Sequence, residues 1–305
     1  MWRLVCPVHL FCSFVIPAKG DDRFNYSEDP LYFARIALCH SFSKKEQNMN
    51  IFVFDIETIP DCEAARRLYD SPEWSDEEAA QALFAVAREQ NGRDFLAHYL
   101  QKIVVISAVL KTPQSLKVWS LGQENADEKE LITRFFDGIE RFSPILVSWN
   151  GSGFDLPVLH YRTLLHGIAA PRYWETGNSD NQFRWNNYLN RYHERHLDLM
   201  DVLAAYQAKA YAPLDRIATL LGFPGKMGMA GDQVWSAYQR GELSAIRDYC
   251  ETDVLNTYLV YLRFEQMRGN LNHDDYQSAC QQLRQYLEIE NKVHFNEFLE
   301  HWHKL

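Results

Sequence analysis

The 305-residue sequence has no C-x-x-C pair, and its six cysteines (6, 12, 39, 62, 250 and 280) are scattered. That usage excludes a zinc ribbon or finger, and it suits a reducing, cytoplasmic setting better than a disulfide framework. The eleven histidines show no metal-ligand spacing either. Positive charge is also short, with 31 lysines and arginines against 41 aspartates and glutamates for a net charge of −10. This balance argues against a protein held on nucleic acid by bulk electrostatics, but not against an enzyme that meets phosphate through bound cations. Also missing are the glycine fingerprint of a dinucleotide site, a phosphate-cradling P-loop and any internal period. The apolar stretch from Leu4 to Ile16 contains Pro7 and His9. It falls short of the ~20 residues a membrane helix needs, so no membrane anchor is expected.

What is present is ample apolar material. At 47% hydrophobic and 14% aromatic residues, the chain can build a sizeable packed core. Residues 1–48 read differently from the rest and are expected to be a poorly ordered extension, with a secretory signal headed by Arg3 as the competing reading. Met49 stands immediately before the first convincing strand.

From Asn50 to Ile59 the chain is almost continuously apolar, as a strand buried on both faces would be. Residues 61–100 form a charged, alanine-rich excursion, with Ser75 and Glu78 spaced as a capping box. Lys102–Leu110 and Leu116–Leu121 predict a hairpin. A helix carrying Leu131, Ile132, Phe135, Phe136 and Ile139 on one face should follow, then a strand over 145–149 and a helix from about Asp155 to His166. His196–Met200 reads as the last strand, and the longest helix should run from about Glu242 to Arg268. The order implies an α/β fold with a mixed sheet and flanking helices.

Carboxylates interrupt this pattern at telling places. Asp55 and Glu57 lie two apart and would share one face of the first strand. Two like charges among Ile51, Val53, Phe54 and Ile56 are costly unless a cation neutralises them; a strand ending at Phe54 would instead leave both in a solvated loop. Asp253 falls at the centre of a helical stripe formed by Ile246, Tyr249, Cys250, Thr257, Val260 and Phe264. It calls for a metal, a basic partner or a proton. Asp155, ahead of Leu156-Pro157, also reads as an ordinary helix N-cap. If these elements converge on one crevice, Asp55, Glu57, Asp155 and Asp253 form a four-carboxylate cluster. Such a cluster suits two divalent cations about 3.5–4 Å apart.

The ordered phrases FDIETIPD, WNGSGFDLPVL and YCETDVLNTY resemble the three exonuclease motifs of the DEDD superfamily. The tyrosine at 249 corresponds to its DEDDy branch, and the phrases are similar to predicted exonucleases related to the proofreading domain of family B DNA polymerases. The resemblance covers roughly residues 50–268. It implies a ribonuclease H-like fold and metal-dependent 3′→5′ removal of nucleoside 5′-monophosphates from single-stranded nucleic acid, with DNA favoured and a DNA-repair setting. Two Mg²⁺ or Mn²⁺ ions would bind Asp55, Glu57, Asp155 and Asp253, with Asp55 bridging both. Asp253 would complete the shell of the first ion and Asp155 would hold the second. Tyr249 would orient the attacking water, because a tyrosine is a poor general base near neutral pH.

Thr58, Asn150 and Phe154 are expected at the substrate. So are Arg184 and Trp185, from a segment (171–195) that interleaves arginines with aromatics, a device for gripping single strands; a surface excursion over packed aromatics is the alternative. Asp198 and Asp201, which no motif matches, are read as structural or as supports behind the ligands, His196 as packing or capping, and the GFPGK phrase ending at Lys226 as a phosphate-contacting loop or a plain helix stop. The domain plan is an extension (1–48), an exonuclease domain (49–270) and a helical tail (271–305). A ribonuclease trimming RNA 3′ ends and an inactive nucleic-acid-binding module are the alternatives.

Overall fold

The computed structural model describes residues 49–302. The expectations for residues 1–48, and for the last three residues of the tail, lie outside the described residues. Strand β1 (Ile51–Pro60) is the centre of a five-stranded sheet in the order β3-β2-β1-β4-β5. β2 (Gln101–Lys111) and β3 (Leu116–Ser120) extend it antiparallel on one side. β4 (Ile145–Ser148) and β5 (His196–Asp198) extend it parallel on the other. The mixed sheet with flanking helices is the fold class that the element order predicts.

β1 reads as continuously apolar because helices cover both of its faces. Its even positions Phe52, Phe54 and Ile56 pack against α3 (Glu128–Phe142) and α4 (Asp155–His166). Its odd positions Ile51 and Val53 pack against α8 (Leu243–Met267), the longest helix. Asp55 and Glu57 continue the odd series, so the strand directs them toward α8. A register shift between Glu57 and Thr58, a β-bulge against β2, follows directly. Bulges of this kind re-aim side chains and recur beside active sites.

Between β1 and β2 lies a helical insertion, α1 (Cys62–Leu68) and α2 (Asp76–Asn91), which ends in a 3-10 turn over His98–Leu100. The capping box at Ser75 and Glu78 is made, and α2 buries Ala79, Ala80, Leu83 and Ala87 against α1. A buried charge network pins the start of the insertion: the Arg162 guanidinium on α4 pairs with Asp61 and Glu128, all three side chains 4% exposed.

At the far end, α5 (Leu199–Leu203), α6 (Leu214–Leu220) and α7 (Val234–Gln239) lead into α8. α9 (His273–Glu290) and α10 (Val293–His301) then return along α8. Leu283, Leu287, Phe295 and Phe298 are fully buried and share a core with α8 and the sheet. The C-terminal helices therefore complete the face of the sheet on which α8 lies.

Candidate active site

Three elements converge beside the bulge. β1 supplies Asp55 and Glu57, the start of α4 supplies Asp155, and α8 supplies Tyr249, Cys250 and Asp253. Asp155 is the first residue of α4, and Phe154 stands at the N-cap. The Asp155 carboxylate is therefore not a cap. Its Oδ1 accepts a hydrogen bond of 3.1 Å from the Ile56 amide, between the two acids of β1. Asp55, Glu57 and Cys250 each offer a ligand atom within 4.8 Å of the others. The Cys250 thiol donates to the Asp55 backbone carbonyl and to Oδ2, both at 3.5 Å. Tyr249 donates its hydroxyl to Asp253.

The electrostatics follow from burial and like charge. Asp55 is pushed well above the usual carboxylate range, first by desolvation and then by Asp155, Glu57 and Asp253. Glu57 is pushed the same way by desolvation, Asp253 and Asp155. Burial also raises Asp155 to about 7 and Asp253 to about 6. Lys226 draws Asp253 downward, by less than burial raises it. Tyr249 is raised by burial and by the charges of Asp253, Glu57 and Asp55, so it keeps its proton. Cys250 is raised by burial and by Asp55 and remains a thiol. Among the described residues no salt bridge joins the four carboxylates to a basic side chain. Four desolvated oxygen donors without an ion pair fit hard divalent cations.

The loop before α4 is built to bring Asp155 in. Asn150 adopts φ 65°, and its carbonyl accepts from the Gly153 and Phe154 amides. A Cβ at Gly151 would sit 2.2 Å from the Ser148 hydroxyl and 2.6 Å from its Cβ, so the turn needs glycine there; one at Gly153 would displace the Asn150 side-chain oxygen, 2.4 Å away. Asp198 caps α5 and accepts from the Asn150 and Ser152 amides, which makes it a brace for this loop. Asp201 is held by Arg191 and Tyr211. His196 is buried against Ser148, its pKa lowered by burial to about 4. Asp198 and Asp201 thus act as supports behind the site, and His196 packs beneath it.

A cavity of about 740 Å³ opens beside the cluster, lined by Ile56, Glu57, Thr58 and Phe154 and by residues of the insertion and α7. Thr58 also donates its hydroxyl to Gln101 Oε1 at 2.8 Å. Asn150 does not line the cavity; it shapes the loop. Arg184 and Trp185, expected at the substrate, do not line it either. Trp185 is 82% exposed on the 171–195 segment. Part of that segment follows the packed alternative: Tyr173, Phe183 and Tyr188 are buried, with Arg172 and Arg195 over the Phe183 ring, whereas Trp174 and Tyr192 are exposed like Trp185.

Three features escaped sequence reasoning. Cys250 sat in the α8 stripe as an apolar residue, and only the register of β1 against α8 reveals its bond to Asp55. Asn256, buried on α8, clamps Gly225 through bonds of 3.0 and 2.8 Å and so fixes the loop carrying Lys226. The return of the insertion to Phe154 has no sequence signal.

No curated protein matches the chain. Among solved structures it is similar to the family B DNA polymerase from the hyperthermophilic archaeon Pyrobaculum calidifontis, at 16% identity and a TM-score of 0.43. That match covers 69% of this chain and 24% of the polymerase. The model of a family described as a predicted 3′-5′ exonuclease related to the exonuclease domain of PolB matches residues 93–302. The stretch takes in Asp155, Tyr249 and Asp253 and begins after Asp55 and Glu57; the chain belongs to that family.

Proposed function

We propose that the chain is a metal-dependent 3′→5′ exonuclease that removes nucleoside 5′-monophosphates from single-stranded nucleic acid, DNA in preference to RNA. The observation that carries this reading is the mutual approach of Asp55, Glu57, Asp155 and Asp253 in a desolvated site without an ion pair. Left alone, such a cluster is electrostatically expensive. The four carboxylates would hold two Mg²⁺ or Mn²⁺ ions. Bound there, the ions supply Lewis acidity toward the scissile phosphate and lower the pKa of a nearby water.

The protein's own groups have separate tasks. Tyr249 keeps its proton, so it positions the attacking water by hydrogen bonding and does not abstract its proton. Cys250 donates to Asp55 and holds that carboxylate in one orientation. The amide of Ile56 does the same for Asp155. Thr58 and Phe154 face the cavity next to Glu57, where the substrate end would lie. We assign the activity to residues 49–270, with α9 and α10 completing the core beneath it. A cytoplasmic setting rests on cysteine usage, and Cys62, Cys250 and Cys280 are free thiols. Among the described residues no helix is long and apolar enough to cross a membrane.

Matched 5′-labelled DNA and RNA strands, incubated with purified protein and Mn²⁺, test the substrate assignment. Faster shortening of DNA from the 3′ end is expected. Faster shortening of RNA would make the chain a ribonuclease, and binding without cleavage would make it an inactive module on the same fold.

A further inference from the structure

The end of the insertion returns to the candidate site. The Phe95 ring lies 5.5 Å from that of Phe154 and 6.3 Å from that of His98, and His98 lies 5.9 Å from Phe154. His98 Nε2 donates to the Gly153 carbonyl at 2.9 Å, which ties the insertion to the loop that presents Asp155. Phe95 nevertheless stays 53% exposed. A lone exposed phenylalanine is ordinary, but this one rests on a second ring and lines the cavity that Glu57 also lines. Phe84 and Trp235 are further aromatic walls. At about 740 Å³ the cavity is the size of a pocket for one small ligand.

The lining contains no lysine or arginine, and Glu57, Asp94 and Asp232 are part of it. A backbone phosphate is therefore disfavoured inside, whereas the flat face of a base is not. In a chain of net charge −10 counterion release contributes little to affinity. Aromatic stacking, which accepts any base, has to take its place.

We propose that Phe95, tilted against Phe154 and edge-on to His98, is the platform for the base of the 3′-terminal nucleotide, so that the insertion selects an unpaired end. This rests on reading the acidic cluster as a nuclease site, since the cavity reaches the cluster through Ile56 and Glu57.

The test is equilibrium binding of a fluorescein-labelled eight-nucleotide thymidine strand, with Ca²⁺ replacing Mg²⁺ to suppress turnover. The comparison is the same strand with an abasic 3′-terminal nucleotide. Removing the terminal base is expected to weaken wild-type binding roughly 5- to 150-fold, the range of base–aromatic stacking. Phe95→Ala is expected to bind the intact strand more weakly by a similar factor and to lose little more on the abasic strand; Phe95→Trp should restore the difference. Equal weakening of Phe95→Ala on both strands, as a purely structural ring would give, overturns the platform. Cleavage of the intact strand by wild type with Mn²⁺, run in parallel, tests the nuclease reading separately. Coupled binding without cleavage sinks that reading and leaves the platform standing. Cleavage without coupling sinks the platform, and no binding to either strand overturns both.

Discussion

Asp55 and Glu57 share a face because side chains on a strand alternate, and that much was readable from their two-residue spacing. Asp155 was not readable in the same way. Its position before Leu156-Pro157 suggests a cap, and only the placement of α4 across β1 turns its carboxylate toward the Ile56 amide. Tyr249 and Asp253 lie one helical turn apart, so their hydrogen bond follows from the period of α8. A tyrosine surrounded by carboxylates holds its proton and acts as a donor. Tyr249→Phe is therefore expected to lower kcat about 100-fold, the scale of losing one positioned donor. Mn²⁺ should raise the melting temperature of the variant as much as that of wild type. An unchanged kcat would reduce the tyrosine to packing.

Periodicity located the elements well. β1, the β2–β3 hairpin, α3, β4, α4 and α8 fall within a few residues of where apolar spacing places them, because each buries one continuous stripe or two full faces. What periodicity could not reveal is how the irregular segments are anchored. The insertion depends on Arg162, which pairs with Asp61 and Glu128 where the side chains are 4% exposed. The Glu128 carboxylate also accepts from the Ile103 amide, so one residue ties α3 to β2 as well as to α4. Removing the guanidinium strips two buried carboxylates of the cation they share, leaving Asp61 only the Ala64 amide and Glu128 only His166 and the Ile103 amide among the described residues. Arg162→Ala is expected to cost about 3–5 kcal/mol of stability by urea denaturation. A loss under about 1 kcal/mol, typical of an exposed pair, would contradict the anchoring role.

For the whole molecule, the acidic cluster links stability, pH and divalent cations. Asp155 is raised to about 7 and Asp253 to about 6 by burial, and Asp55 and Glu57 are also raised well above the usual carboxylate range by burial and mutual repulsion. The folded protein thus binds these protons more tightly than the unfolded chain does. Without divalent cations the resulting stability is fully present below about pH 4. It is lost as the pH rises through the folded values near 6 and 7. Cations compete with the protons, so Mn²⁺ should raise the melting temperature more at pH 8 than at pH 5.5. An equal rise at both pH values would mean that the ions bind elsewhere.

In the reading proposed above, these four carboxylates drive removal of nucleotides from a 3′ end. The most direct test is one time course with Mn²⁺ on a linear and a circular single strand of DNA, with Asp55→Ala in parallel. Wild type should release mononucleotides from the linear strand and leave the circle intact. The variant should be slower by about a thousand-fold or more, since a metal-stabilised charge is worth several kcal/mol. Internal cuts in the circle, or equal rates for wild type and variant, would contradict the account.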